Sequence, residues 1–247
     1  MIFCMFGYRL GRLKIHEKFR TVSMRFVVIE GLDGSGKSTQ LSLLGKYLEN
    51  ESIPHRYLHF PRLEEGVYGK LIARFLRGEM GSLEEVDPYL VALIFAGDRA
   101  DAAGILRDWM KEGALVIVDR YVYSNIAFQC AKLADRDAQA RLRDWILELE
   151  FGHNRLPRPD INLYLDVPLE FTRKQLGNTR SGTDRGYLKG ERDIHEEKME
   201  FQEEVRRQYL NLEGFVEDLR RIECMDSSGR MLEPEHISER IIQHIGN

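Results

Sequence analysis

Gly31-Leu32-Asp33-Gly34-Ser35-Gly36-Lys37-Ser38 constrains the fold of this chain more than any other stretch. The strand-like run Arg25 to Glu30 precedes it, and Gln40 to Leu48 behind it has helical spacing. Strand, glycine-rich turn and helix in that order make a Walker A loop. Its successive backbone N–H groups point inward at an anion seated on the helix start. The glycines let the chain wrap closely round phosphate, Lys37 reaches the β- and γ-phosphates, and the Ser38 hydroxyl ligates Mg2+. Gly31, Asp33, Gly34, Ser35, Gly36, Lys37, Ser38 and Thr39 are therefore expected to hold a nucleoside triphosphate.

Five short apolar runs are continuous rather than alternating, the pattern of strands covered on both faces. They are Phe26 to Glu30, Arg56 to Phe60, Leu115 to Asp119, Ile161 to Asp166 and Arg221 to Met225. Helical spacing separates them. Leu41, Leu44 and Leu48 share a face, Leu90, Ile94, Ile105, Leu106 and Met110 mark helices, and Leu142, Trp145, Ile146 and Leu149 form a stripe. Pro234 to Ile245 reads as a terminal helix. Alternating strands and helices with right-handed crossovers predict an α/β fold, a doubly wound parallel five-stranded sheet flanked by helices. Ligands then bind beyond the C-terminal strand ends, which brings Glu30, Phe60, Asp119 and Asp166 near the site.

The chain has 247 residues, 43% of them hydrophobic, enough for one substantial core. Residues 24–247 are expected to form one domain. Residues 1–23 read as a non-core extension, basic and without a motif, with Met24 a natural beginning. A net charge of −4 argues against a nucleic-acid footprint. Cys4, Cys130 and Cys224 lie far apart with no C-x-x-C spacing, which suits a reducing compartment and gives no metal site. No apolar run reaches bilayer length, so a cytoplasmic location with no membrane partner is expected.

Two further stretches carry chemistry. Asp119 ends the third apolar run, where a carboxylate holds Mg2+ directly or through water, and Arg120 follows it. Gly177 to Arg192 is rich in glycine and arginine and poor in large apolar residues. It is either a solvated loop or a mobile lid, about 177–192, whose Arg180, Arg185 and Arg192 meet the charge spread over a transferring phosphoryl group.

Taken together, these blocks resemble the thymidylate kinases. The resemblance rests on Glu30 to Thr39, Phe60-Pro61-Arg62 with Gly69 to Ile72, Phe95-Ala-Gly-Asp-Arg99, Asp119 to Asn125, and the microbial-type Gly190 to Glu196. It implies transfer of the γ-phosphate of ATP to dTMP, giving dTDP and ADP in dTTP biosynthesis, with Mg2+ as cofactor and a homodimer as the assembly. It further implies that Asp33 approaches the sugar 3′-hydroxyl, that Phe95 stacks on thymine and that Arg99 donates to its O4. Arg120 would grip the acceptor phosphate bidentately, a task guanidinium suits. Ser124, Asn125 and Gln129 follow as polar contacts to base or sugar, and Phe128 as the aromatic against the 2′ carbon. Phe95 and Phe128 are also plausible core residues. Phe60 and Arg62 fall on the acceptor side; Arg62 either contacts phosphate or lies on the surface, because the family's eukaryotic arginine stands where this chain has Leu63. Arg173 and the loop Asp226 to Gly229 match the adenine side, or are solvent-exposed. The nucleophile is a phosphate oxygen with a second pKa of about 6, so no general base is required. The phosphate loop carries no transition-state arginine, which leaves that task to Arg180, Arg185 or Arg192. A kinase for another monophosphate or for a deoxynucleoside is the nearest alternative, although the latter usually carries Glu-Arg-Ser where Asp119-Arg120-Tyr121 stands. A guanine-directed switch would need an Asn-Lys-x-Asp motif, which is absent.

Overall fold

The computed structural model describes residues 26–83, 85–177 and 199–246. The extension 1–23 and most of the arginine-rich segment, with Arg180, Arg185 and Arg192, lie outside the described residues.

Strands β1 (Phe26–Gly31), β2 (His55–His59), β3 (Leu115–Asp119), β4 (Ile161–Asp166) and β5 (Leu219–Glu223) form one sheet in the order β2-β3-β1-β4-β5. Every pairing is parallel. Every residue of β1, β3 and β4 is buried, which is why their sequences run apolar without alternation. Of the edge strands, β2 has no fully buried residue, and β5 mixes buried with solvent-facing positions. β5 accordingly starts at Leu219, ahead of the predicted Arg221. Its exposed Arg220 and Arg221 hide the start of the strand from a search for apolar runs, while Leu219 and Ile222 fill the core.

Alternate side chains of each inner strand feed two cores. Phe26 and Val28, with Val116 and Val118, pack under α2 (Gly66–Leu76), α3 (Pro88–Lys111), α4 (Val122–Cys130), α5 (Arg136–Leu147) and α7 (Met199–Glu213). Val27 and Ile29, with Leu115 and Ile117, pack under α1 (Lys37–Asn50) and α8 (Pro234–Ile245). A short helix, α6 (Leu169–Gly177), follows β4.

The stretch predicted as separate helices before β3 is the single helix α3. It starts where Asp87 accepts hydrogen bonds from the N–H groups of Tyr89 (2.8 Å) and Leu90 (3.4 Å), with Pro88 in the first turn. Leu90 and Ile105, two of the apolar residues that mark it in the sequence, face outward. A π-helical turn, Glu148–His153, extends α5 toward β4 and carries the fully buried Glu150.

Candidate active site

The loop from β1 to α1 lies at the C-terminal edge of the sheet. Gly36 takes φ 85° there, a left-handed conformation that side chains resist, and a Cβ at Gly31 would come within 2.6 Å of Ser35 Oγ. Lys37 Nζ donates to the carbonyls of Leu32 (3.0 Å) and Gly31 (3.4 Å), so the ammonium already lies over the phosphate cradle. Burial and the neighbouring Arg120 charge pull the Lys37 pKa down to about 8, against the pull of Asp119, Asp33 and Glu30. Ser35 Oγ is buried without a hydrogen-bond partner among the described residues, while Ser38 and Thr39 are exposed on the first helical turn.

Asp119 sits at the end of β3, in register with Ile29 of β1. Its Oδ2 meets His59 Nδ1 at 3.1 Å, and its Oδ1 is buried without a partner among the described residues. Burial raises the Asp119 pKa, but the His59 hydrogen bond and the Lys37 and Arg120 charges outweigh it and hold the carboxyl below its usual range. An anionic oxygen with a free lone pair beside a phosphate loop fits a divalent cation that shares its shell with substrate phosphates. Among the described residues no three His, Cys, Asp or Glu side chains cluster as a self-sufficient metal cage.

Arg120 adopts φ 66°, turning its side chain across the mouth of the loop. Its Nη2 lies 2.6 Å from Asp33 Oδ1, its Nη1 donates to Ser124 Oγ at 3.2 Å, and its guanidinium stands 5.1 Å over the Phe128 ring. Beneath it, Glu30 is fully buried and accepts from the Tyr121 and Ser124 N–H groups, from Ser124 Oγ (2.6 Å) and from the Tyr209 hydroxyl (2.9 Å). Burial raises the Glu30 pKa despite those donors and Arg120. Sequence reasoning placed Glu30 near the site but missed Tyr209 and Gln202, whose Nε2 lies 3.4 Å from Asp33 Oδ2. Both come from α7, far along the chain, and no local pattern marks them.

The expected base-reading groups are drawn together on α3 and α4. Phe95 is half-buried, one turn from Arg99. Arg99 is only 2% exposed, and its Nε and Nη2 clasp Glu150 at 2.5 and 2.7 Å. Asn125 Nδ2 donates to the same carboxylate at 2.9 Å and to the Ala92 carbonyl at 3.0 Å, which leaves its buried Oδ1 without a partner among the described residues. Gln129 Oε1 is in the same condition. Glu150 was not anticipated, and its only sequence signal is a carboxylate amid the apolar residues of Ile146 to Phe151.

The other expected residues each have neighbours that fix their surroundings. Phe60, 1% exposed, packs against the Tyr121 ring at 5.9 Å, so it shapes the core. Phe128 lies edge-on to Phe201 with the Arg120 guanidinium above it. Arg62 turns onto Asp98, with Nε to Oδ1 at 3.0 Å, and onto Glu65, with Nη1 to Oε2 at 2.8 Å. Its guanidinium therefore braces α3 rather than standing free for phosphate. Arg173 is exposed beside Glu170 at 3.9 Å. Asp226 closes its own exposed loop by accepting from Ser228 and Arg230.

The chain is similar in sequence and in fold to known proteins. A family model described as thymidylate kinase matches residues 29–225. A probable thymidylate kinase of Pyrococcus horikoshii is 31% identical over 206 residues, 82% of this chain and 89% of the relative. A thymidylate kinase of Mycobacterium tuberculosis is 32% identical over 186 residues, 75% of this chain and 84% of the relative. The solved thymidylate kinase of Candida albicans superposes with a TM-score of 0.67 at 25% identity, covering 91% of this chain and 92% of that one.

Proposed function

The chain belongs to the thymidylate kinase family, whose reaction is the phosphorylation of dTMP by ATP to give dTDP for dTTP synthesis, and we propose that its residues divide that work as follows. Gly31 to Thr39 seat the ATP phosphates, and Lys37 exchanges its two carbonyl partners for phosphate oxygens. Ser38 and Asp119 would hold Mg2+, which when bound neutralises phosphate charge. Arg120 grips the acceptor phosphate. Asp33 holds Arg120 and approaches the sugar 3′-hydroxyl. Arg180, Arg185 and Arg192 meet the transferring phosphoryl group, Arg173 lies toward adenine, and Ser124 and Gln129 complete the acceptor pocket.

On the base, Phe95 stacks, Arg99 Nη1 donates to O4 and Asn125 Oδ1 accepts from N3–H. Catalysis is then positioning plus charge neutralisation, because the acceptor oxygen is already largely ionised near neutral pH. A homodimer and a cytoplasmic location complete the proposal. Supporting the dimer, Val67 on α2 and Leu90 and Leu93 on α3 are 77%, 61% and 45% exposed, unusual for large apolar side chains. Supporting the compartment, Cys130 and Cys224 are free buried thiols. No described helix is long and apolar enough to cross a membrane.

The observation that carries this division of labour is the Asp33–Arg120 contact at 2.6 Å, which couples the donor loop to the acceptor-side cation. A substrate panel tests it. With ATP and Mg2+, turnover is fastest on dTMP, slower on dUMP, since a methyl group adds only about 1–3 kcal/mol of preference, and slight on CMP, AMP or thymidine. Equal turnover across the monophosphates would contradict it.

A further inference from the structure

Glu150 has no place in the phosphate chemistry, yet it is fully buried and spends both carboxylate oxygens on the two groups assigned to the base. Oε2 accepts from Arg99 Nε at 2.5 Å. Oε1 accepts from Arg99 Nη2 at 2.7 Å and from Asn125 Nδ2 at 2.9 Å. The residue sits in the π-helical turn Glu148–His153, a local irregularity of the kind that often marks functional positions. A carboxylate can only accept, and so can the second partner of Asn125 Nδ2, the Ala92 carbonyl at 3.0 Å. The amide is therefore not free to turn over. Reversing it would set Oδ1 against two acceptors and strand the amine. With its donors used, Asn125 retains one orphaned buried acceptor, Oδ1, while Arg99 can offer only N–H groups.

We infer that Glu150 is a positioning residue for base recognition, holding Asn125 as an acceptor and keeping the Arg99 donor in place, so that the pocket takes a 4-oxo, N3–H pyrimidine. A 4-amino pyrimidine has the reverse edge, an amine donor beside a bare N3, and meets like against like at both points. The inference rests on the base-reading role given above to Arg99 and Asn125. Discrimination against cytosine then does not belong to the two contacting residues alone. It also depends on a carboxylate 25 positions from Asn125 and 51 from Arg99, which acts on Asn125 together with the Ala92 carbonyl.

Two variants assayed with ATP, Mg2+ and either dTMP or dCMP test the inference. Glu150→Gln keeps the shape but brings an amine to the clamp, which removes one of the two acceptors holding Asn125 and leaves the Ala92 carbonyl alone to oppose its reversal. The ratio of kcat/KM for dTMP over dCMP is expected to fall at least tenfold, with KM for ATP unchanged. Glu150→Asp keeps the acceptor polarity but retracts the carboxylate. It should raise KM for dTMP at least fivefold and leave the ratio within threefold of wild type. A ratio preserved in Glu150→Gln, or lost equally in Glu150→Asp, overturns the inference. Should Glu150→Gln fail to fold, Glu150→Asp decides alone, because an unchanged KM for dTMP contradicts a positioning role. Wild-type preference for dCMP would instead refute the base-reading assignment beneath the inference.

Discussion

Arg120 and Asp33 meet at 2.6 Å across the gap between the end of β3 and the phosphate loop, so one ion pair ties the strand end to the loop. Arg120 is additionally steered by Ser124 and by the face of Phe128. Burial works against its charge, but the adjoining carboxylates, Asp33 foremost, more than compensate and keep it firmly protonated.

Asp33→Asn should therefore loosen Arg120 without disturbing the backbone cradle for ATP. kcat/KM for dTMP is expected to drop roughly 10- to 1,000-fold, the scale of losing a charge-assisted contact and its alignment. The dissociation constant for ATP should change little. Steady-state kinetics beside calorimetric ATP binding check this, and an equal loss for both nucleotides would refute it.

Lys37 gives a pH signature. With its pKa near 8 in the free enzyme, the amine is part-neutral at pH 8, and incoming phosphates restore its charge. ATP binding should take up about half a proton at pH 8 and almost none at pH 6.5, and affinity should weaken as pH rises above 8. Calorimetry in buffers of different ionisation enthalpy measures that uptake directly. No buffer dependence at pH 8 would show that the amine stays fully charged in the free protein.

Lys132 bears on stability rather than catalysis. Its Nζ is buried without a hydrogen-bond partner among the described residues, 4.7 Å over the Phe75 ring, and burial lowers its pKa to about 7 despite Asp87. The unfolded chain keeps this amine protonated up to about pH 10.4. Between pH 7 and that value the unfolded state binds more protons, so stability rises with pH, and the full penalty applies below pH 7. Lys132→Met should raise the melting temperature by several degrees at pH 6.5, a gain of roughly 1–3 kcal/mol. The gain should shrink at pH 9.5. A variant less stable at pH 6.5 would mean that the ammonium contributes more over Phe75 than its burial costs.

The apolar outer face of α2 and α3 predicts the assembly. Leu93→Glu should convert a dimer into a species near the 28.8 kDa chain mass by sedimentation equilibrium, with the circular dichroism spectrum unchanged. A wild-type chain that sediments as a monomer would remove this face from the account.

The inner sheet was legible in the sequence because β1, β3 and β4 are buried on both faces and leave uninterrupted apolar runs. The phosphate loop was legible because its glycines answer a local backbone demand. β5 was misplaced because an edge strand exposes Arg220 and Arg221. The pairings that give the site its geometry were not legible. Arg62 with Asp98, Arg99 with Glu150 and Glu30 with Tyr209 join residues 36, 51 and 179 positions apart. No local pattern tells a guanidinium or a hydroxyl which carboxylate the fold will bring to it. Arg62 could thus be read as a phosphate ligand, although Asp98 and Glu65 claim it.

The central claim is that one cleft brings the two nucleotides together for direct transfer. Its sharpest test follows the label from [γ-32P]ATP in a reaction with unlabelled dTMP and Mg2+. The account predicts that the label appears in the β-phosphate of dTDP, mole for mole with ADP. Label released as inorganic phosphate, at a rate indifferent to dTMP, would contradict it.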